Sequence, residues 1–484
     1  MLEDILQERL KKLSRLKESG IDPYPAVAER NTLISEAHKK FGELIASKKE
    51  ISIAGRLISL RDQGNIIFSD LADESGEIQI VLKKDNLGEF KLWKSTLDIG
   101  DFISVTGPLF KTQKGEESVE ILKLKILTKS LRPIPSERYG IEDPDTRLRK
   151  RYLEILTNSD TKEIFRKKSI FWQAIREYLL SEGYLEVETP VLENIPGGAE
   201  AEPFKTHHKA LDVDFYMRIS LELPLKKLLI AGYEKVFEIG RIFRNEGIDR
   251  EHLQDYTQLE FYWSYADYNN MMSFVERLYK EVIKKTCGGL ETKYDGTAID
   301  WGQEWKTIDY VEFFEKENHI NPVTATVEDL RKRAHALKLE PEKSVGKGRL
   351  IDLIFKHTAR PKIIKPSFLI DPPVEIEPLA KRSRSKPGCV ERFQVMAAGT
   401  ELGKGFSELN DPQDQRARFE EQMKLREAGD TEAQRLDADF LEALEYGMPP
   451  AAGFGLSERL FAVLMNKPVR ETVIFPLMRQ KKTA

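Results

Sequence analysis

A chain of 484 residues with 40% hydrophobic and 32% charged content is long enough for two or more domains, each with its own core. Its net charge is −4, and acidic and basic residues nearly balance over positions 1–150, which excludes a nucleic-acid grip built on overall positive charge. Cys287 and Cys389 lie far apart without CxxC spacing, the charged N-terminus is no secretory signal, and no apolar run approaches the ~20 residues of a membrane span. These features predict a cytoplasmic protein in a reducing compartment, with no structural zinc and no membrane partner.

In chain order, residues 1–48 are predicted as a helical arm with a stripe of Leu2, Ile5, Leu10, Leu13 and Leu16. Lys11, Lys12, Arg15 and Lys17 would face outward, on a solvated packing helix or an arm lying along RNA. Residues 49–130 hold five short strand patterns and one helical stretch, Asn86 to Thr96, which fits a small Greek-key barrel, the OB-fold. Such barrels bind single-stranded nucleic acid on one face by stacking bases on exposed aromatics. Phe68 and Gln79 are candidates for base contacts, with Arg61 nearby, although alternation alone leaves Phe68 equally placed for the core. Residues 131–160 are Pro-rich and charged and suit a linker. Its run Arg147, Arg149, Lys150 and Arg151 either meets RNA backbone or forms a solvated helix face.

Residues 161–484 read as a larger α+β domain. Lys162 to Glu182 has helical periodicity and is followed by a strand ending near Pro190. The Gly pair in IPGGAEAEPFKTHH permits close approach of a ligand to backbone. His207 and His208 are neighbours on a strand, so they point to opposite faces and make a poor metal pair. Val236 to Glu246 and Tyr256 to Ala266 are predicted strands joined by a polar loop. Period two puts Arg244 and Glu246 on one face of the first and Tyr256, Gln258, Glu260 and Tyr262 on one face of the second. Phe243, Leu259, Phe261 and Trp263 would back them, so the charged face is expected to floor a pocket. Residues 280–365 suggest a connecting subdomain and carry no functional reading. Strands Arg392 to Ala398 and Thr400 to Glu408 follow. Glu401 and Glu408, seven apart, would lie on opposite faces unless a bulge near Gly403 or Gly405 resets the register. Finally a Gly-rich strand turns into a helix opening at Ser457 with Arg459 in its first turn, either a phosphate-binding terminus or a capped structural helix.

FRNEGIDREH…YTQLEFYWSYADY resembles motif 2 of the class II aminoacyl-tRNA synthetases, specifically the lysyl-tRNA synthetases. The likeness extends over nearly the whole chain. The stretch AGR…FSDLADESGEIQI resembles their anticodon-binding barrel. The long helix, strand and Pro resemble motif 1, which builds their dimer interface. GFGLSERLFAVLMNKPVRETVIFPLMR resembles motif 3. The resemblance implies a homodimeric, Mg²⁺-dependent ligase that activates L-lysine with ATP and transfers it to tRNA(Lys).

By the same likeness, Arg244 would bridge the α-phosphate of ATP and the lysine carboxylate, and Arg459 would take the far phosphates. Glu246, His252, Tyr256 and Glu401 fall at ATP-contacting positions, Glu401 also as a metal-holding carboxylate. Glu222 falls where the α-amino group is held, Gly198 at another lysine-binding position, and Lys404 near the substrate carboxylate. Glu260, Glu408 and the Tyr262 hydroxyl fall where the ε-ammonium is met, and Phe406 along its aliphatic stem. Arg61, Phe68 and Gln79 fall among anticodon contacts. The chain departs from the lysyl pattern at Leu60, where a basic residue is expected, at Gln394, where Glu401 would have a metal-holding partner, and at Lys404, where Asn is usual. Motif 3 is one residue shorter, with Glu458 where Asp is common. Two rivals remain: the aspartyl or asparaginyl branch of the same subclass, and a non-catalytic tRNA-binding paralogue.

Overall fold

The computed structural model describes residues 2–135, 141–247, 253–342, 344–430 and 433–479. The chain divides into two units, Met1–Glu142 and Asp143–Ala484.

In the first unit the strand Ile51–Leu57 alternates buried and half-buried positions, which sends Ile51, Ile53 and Leu57 into a core shared with Ile80, Ile103 and Val105. Its sheet runs in the order Leu109–Lys111, Glu117–Glu120, Glu77–Lys83, Ile66–Ala72, Ile51–Leu57, Phe102–Gly107, Lys123–Thr128, with Arg61–Asp62 paired to Ile66–Ala72. The two end segments do not pair with each other, but Leu109–Lys111 continues Phe102–Gly107 after Pro108, so one bent strand takes part at both ends of the path. The expected helical stretch starts only at Phe90, where Phe90 and Trp93 drop into the core. On the arm helix Leu2–Glu18, Leu16 is buried while Leu2 and Ile5 are exposed. A buried Arg9 donates to the carbonyls of Ile99 and Ser130 at 3.0 Å. Lys12 pairs with Asp98 at 2.7 Å, whereas Lys11, Arg15 and Lys17 stay exposed.

The second unit is α+β. Its main sheet orders the strands Lys306–Asp309, Ser367–Ile370, Arg392–Ala397, Thr400–Ser407, Ala451–Ser457, Asp255–Ser264, Lys235–Phe243 and Leu185–Glu186. The end pairs are parallel and the rest antiparallel. One face carries Leu259, Phe261, Phe393, Phe454 and Leu456 beneath the helices Ser159–Ser181 and Tyr268–Cys287. Phe261 packs on Phe274, Tyr184 and Phe454 with ring centroids 5.5–5.6 Å apart, pairs worth about 0.5–1.5 kcal/mol each beyond their burial. Phe243, expected in this backing, lies outside the core clusters of the described residues. Both helices start where a side chain caps them. Asn158 accepts from Asp160 and Thr161 N–H, which opens the first helix three residues before the predicted Lys162, and Asp267 caps the second.

Three local features matter, two of them differences from expectation. The first motif-2 strand ends at Phe243, because Arg244 N–H turns to the Gln254 carbonyl at 2.8 Å and Asn245 N–H to that of Glu202 at 2.7 Å. A bulge does occur on Thr400–Ser407: Val395 faces Gly403 and Met396 faces Glu401, leaving Leu402 as the extra residue. In the run 147–151, Arg151 is buried, paired with Glu154 and reaching the carbonyls of Glu471 and Val473, so it is no outward cation.

Candidate active site

Opposite the aromatic core, the sheet opens on a cavity of about 780 Å³. The pleat builds its floor. With Leu259 and Phe261 inward, Gln258, Glu260 and Tyr262 face the cavity, and across the register Gly455 and Gly453 lie beside Glu260 and Tyr262. A Cβ on Gly453 would fall 2.3 Å from Glu408 Oε1 and 2.4 Å from the Tyr262 ring, so only glycine leaves this end open. The Leu402 bulge brings Glu401 onto the same lining as Lys404, Phe406 and Glu408.

One part of the lining is cationic. Arg244 follows directly on the strand end, donates Nε–H to the Ile219 carbonyl at 3.2 Å, and holds its guanidinium 5.8 Å from the Tyr256 ring. Arg459 and Glu246 line the same cavity. The helix after the Gly-rich strand, Arg459–Leu464, has only six residues, so its backbone adds little to the guanidinium charge. Glu458 is buried there, accepting from Lys168 Nζ at 2.7 Å and from Thr257 N–H at 3.0 Å. His252 lies outside the described residues.

The other part is acidic and dry. Glu260 is saturated: Oε1 accepts from the Ser220 hydroxyl, Leu221 N–H and Gln258 Nε2–H, and Oε2 from the Tyr262 hydroxyl at 2.9 Å. It therefore fixes Tyr262 and the start of the helix Glu222–Ile230. Burial, and then Glu260, push the Tyr262 phenol well above its usual range. Glu222 heads that helix beneath Gly198, whose φ of +81° suits glycine. Glu408 sits at the far end, fully buried, with its pKa raised by burial despite the nearby Lys226 ammonium.

Sequence reasoning missed Lys226. It is fully buried, donates to Glu222 Oε1 at 2.6 Å and forms an ion pair with Glu408 Oε2. Burial would lower its pKa, but the two carboxylates outweigh that and hold it above the ordinary lysine range. Burial pushes Glu222 up to about 7. Glu377 and Arg392 were missed too. Lys404 donates to Glu377 Oε2 at 2.7 Å and Arg392 Nε lies 3.5 Å from the same oxygen. Burial opposes ionisation of Glu377, yet Lys404 and Arg392 hold its carboxyl below the usual range.

Magnesium, implied by the resemblance, finds no adequate protein donor set. Gln394 donates Nε2–H to Glu401 Oε2 at 2.7 Å, so an amide that cannot offer a carboxylate ligand takes up one of Glu401's oxygens. Among the described residues no three His, Cys, Asp or Glu side chains converge to hold a metal. Glu401 with the Gln394 amide is too small a donor set to cage a divalent ion without the phosphates of a nucleotide.

In the first unit, Arg61, Phe68 and Gln79 share a sheet face: Arg61 pairs with Phe68 in register, and Asp70 with Gln79. Phe68 is half-buried and outside the core cluster. Gln79 is buried, bonded to Glu116 at 2.8 Å and to the Ser118 hydroxyl at 3.0 Å. Arg61 is exposed and reaches Asp70 at 3.4 Å.

Two family descriptions match the chain: "tRNA synthetases class II (D, K and N)" over residues 143–479 and "OB-fold nucleic acid binding domain" over residues 51–128. The chain is 44% identical to a lysine–tRNA ligase of Moorella thermoacetica, covering 99% of this chain and 98% of the relative. It is 43% identical to that of Bacillus subtilis, at 99% and 98% coverage, and 41% identical to that of Thermotoga maritima, at 100% and 97%.

Proposed function

We propose that this chain, which belongs to the class II tRNA synthetases (D, K and N), is a lysine–tRNA ligase. It activates L-lysine with ATP to lysyl-adenylate and transfers lysine to the 3′ end of tRNA(Lys), releasing diphosphate and then AMP. The observation that carries the substrate choice is Glu408: a buried carboxylate in the cavity lining whose Oε2 pairs with the Lys226 ammonium and whose Oε1 has no hydrogen-bond partner among the described residues. A substrate ammonium is the group that such an acceptor takes without large desolvation cost. An aspartate side chain would instead meet like charge, and an asparagine amide would leave the carboxylate uncompensated.

Chemically, the lysine carboxylate attacks the α-phosphorus, a P–O bond forms, and the bond to diphosphate breaks. The nucleophile is already ionised, so no side chain acts as base. What the protein supplies is alignment and positive charge fixed where charge develops. Arg244 spans the carboxylate and α-phosphate, Arg459 takes the outer phosphates, Tyr256 stacks on adenine, and Glu246, Glu401 and His252 complete the ATP contacts. Glu222 holds the α-ammonium beneath Gly198, Lys404 lies near the carboxylate, Phe406 covers the stem, and Tyr262 with Glu408 receives the ε-ammonium. Glu260 serves this end by orienting Tyr262. Any Mg²⁺ enters with the ATP phosphates rather than on a Gln394–Glu401 site. Arg61, Phe68 and Gln79 form the anticodon face.

Homodimerisation is supported by a run of exposed apolar side chains, Ile170, Leu180, Leu185, Val191 and Leu192, on the helix and strands of motif 1. A cytoplasmic location accords with the two unpaired cysteines, and no helix among the described residues is long and apolar enough to cross a membrane. ATP–pyrophosphate exchange with lysine, aspartate and asparagine separately tests the reading. Exchange stimulated by lysine alone is expected. Stimulation by aspartate or asparagine would move the chain to the neighbouring branch, and none with any of the three would leave a tRNA-binding protein without catalysis.

A further inference from the structure

Lys226 lies behind the cavity wall rather than in it, on the inner face of the helix Glu222–Ile230. Its ammonium stands between two carboxylates, Glu222 Oε1 and Glu408 Oε2, and lies over the Phe406 ring at 5.3 Å and the Phe440 ring at 6.0 Å. Each carboxylate thus turns one oxygen inward to Lys226. Glu408 Oε1, the other oxygen, is buried and without a hydrogen-bond partner, and a Cβ on Gly453 would reach it. A fully buried lysine is rare unless paired, and this one is paired with the two acids that the proposed reading gives to the two amines of the substrate.

From this geometry we infer that Lys226 is a positioning residue for lysine selection: a built-in ammonium that cancels one of two buried carboxylate charges and aims the remaining oxygens at the substrate. The inference rests on the proposed lysine-binding role of the cavity. Without Lys226, two buried acids would face each other with no cation between them, and a proton would take its place. With it, the pair carries one negative charge in excess, and burial makes the empty pocket share a single proton until a substrate ammonium displaces it. The other groups near the pair, including Glu200, which burial pushes up to about 7 in the same lining, are common to wild type and variants, so the difference in proton count reads the pair. On the strand Asp255–Ser264, Glu260 is saturated by four donors and Tyr262 is a neutral phenol. Glu377 meets two cations, Lys404 and Arg392, and the helix Ala438–Glu445 presents the Phe440 ring to Lys226.

The test is isothermal titration of the full-length protein with L-lysine in buffers of different ionisation enthalpy near pH 7, which counts protons released on binding. Wild type is expected to bind lysine with release of about one proton, Lys226→Arg to do the same, and Lys226→Met to release about one more. Lysine affinity of the Met variant should therefore fall about tenfold more per pH unit than that of wild type as pH drops. A merely structural role would weaken binding equally at every pH, and equal proton counts in wild type and Lys226→Met would overturn the inference. Failure of wild type to bind lysine at all would instead refute the functional reading. Should Lys226→Met not fold at pH 7, its melting at pH 5.5 decides the matter. Buried acids with raised pKa bind more protons in the folded state, so stability rises as pH falls. Recovery of a cooperative melt in acid supports the charge role, and its absence at both pH values refutes it.

Discussion

At the scale of single residues, the acidic end of the cavity is set by what is missing as much as by what is present. Gly453 has no side chain because Glu408 Oε1 and the Tyr262 ring fill that space. Gly453→Ala is expected to displace one of them at an overpacking cost of about 1–3 kcal/mol, read as a roughly tenfold or greater rise in lysine KM with the ATP KM unchanged. An unaltered lysine KM would show that Glu408 and Tyr262 do not form the ammonium site. Arg244 lives at the same scale. Arg244→Met leaves the Tyr256 contact largely apolar and should melt near wild type while kcat for exchange falls about 10²–10³-fold, as when one preorganised charge donor is lost. Fold loss in this variant would mean that Arg244 is held for structure. The visible residues were those whose neighbours signal them: Glu260 and Tyr262 alternate with aromatics on a strand, and Arg244 follows directly on the aromatic end of another. Lys226 was not, because LKKLL reads as two surface lysines. Its signal lay four residues back, where Glu222 shares the helix face of Leu225 and Leu229.

Among the elements, period two carried most of the reading, and it failed where the pleat is interrupted. The faces of Asp255–Ser264 and Ala451–Ser457 follow from alternation alone. Glu401 does not, since only the Leu402 bulge moves it to the cavity, and the sequence marks that bulge no more closely than by two nearby glycines. Strand ends are likewise set by tertiary partners: nothing in the chain before Phe243 announces that Arg244 N–H will leave for Gln254. The Gln394–Glu401 pair, opposite that bulge, yields a prediction of its own. Gln394→Glu replaces a 2.7 Å hydrogen bond by two facing carboxylates on a mostly buried surface, a repulsion of up to about 4 kcal/mol at an effective dielectric of ~20. The variant should melt several degrees lower in EDTA and regain most of that loss in millimolar Mg²⁺, whereas wild type should melt alike in both. A wild-type melt raised by Mg²⁺ without nucleotide would show that the native pair already holds a metal.

For the molecule as a whole, the two units bury separate cores. That of Met1–Glu142 runs from Leu16 through Ile53 and Trp93 to Ile126, and the main core of Asp143–Ala484 from Phe171 to Leu464. Their separation was foreshadowed by the switch from short alternating strands to long helical periods. The place of the division was not, because the Pro-rich stretch 131–160 contains both the end of one unit and two short helices, Pro144–Arg149 and Arg151–Thr157, of the other. Every described residue of the cavity belongs to the second unit, while Arg61, Phe68 and Gln79 belong to the first. Residues 143–484 alone should therefore retain lysine-dependent ATP–pyrophosphate exchange within about tenfold of the full chain. Aminoacylation of tRNA(Lys) should fall much further if the proposed anticodon face of the first unit binds tRNA, since base stacking on such a face contributes roughly 1–3 kcal/mol per base. Residues 1–142, with more than 100 residues and a core of their own, should melt cooperatively and bind an anticodon stem-loop with steep salt dependence. If the truncated second unit charged tRNA as well as the full chain does, recognition would have to lie in the catalytic unit itself, and the Arg61–Phe68–Gln79 face would have no part in choosing the tRNA.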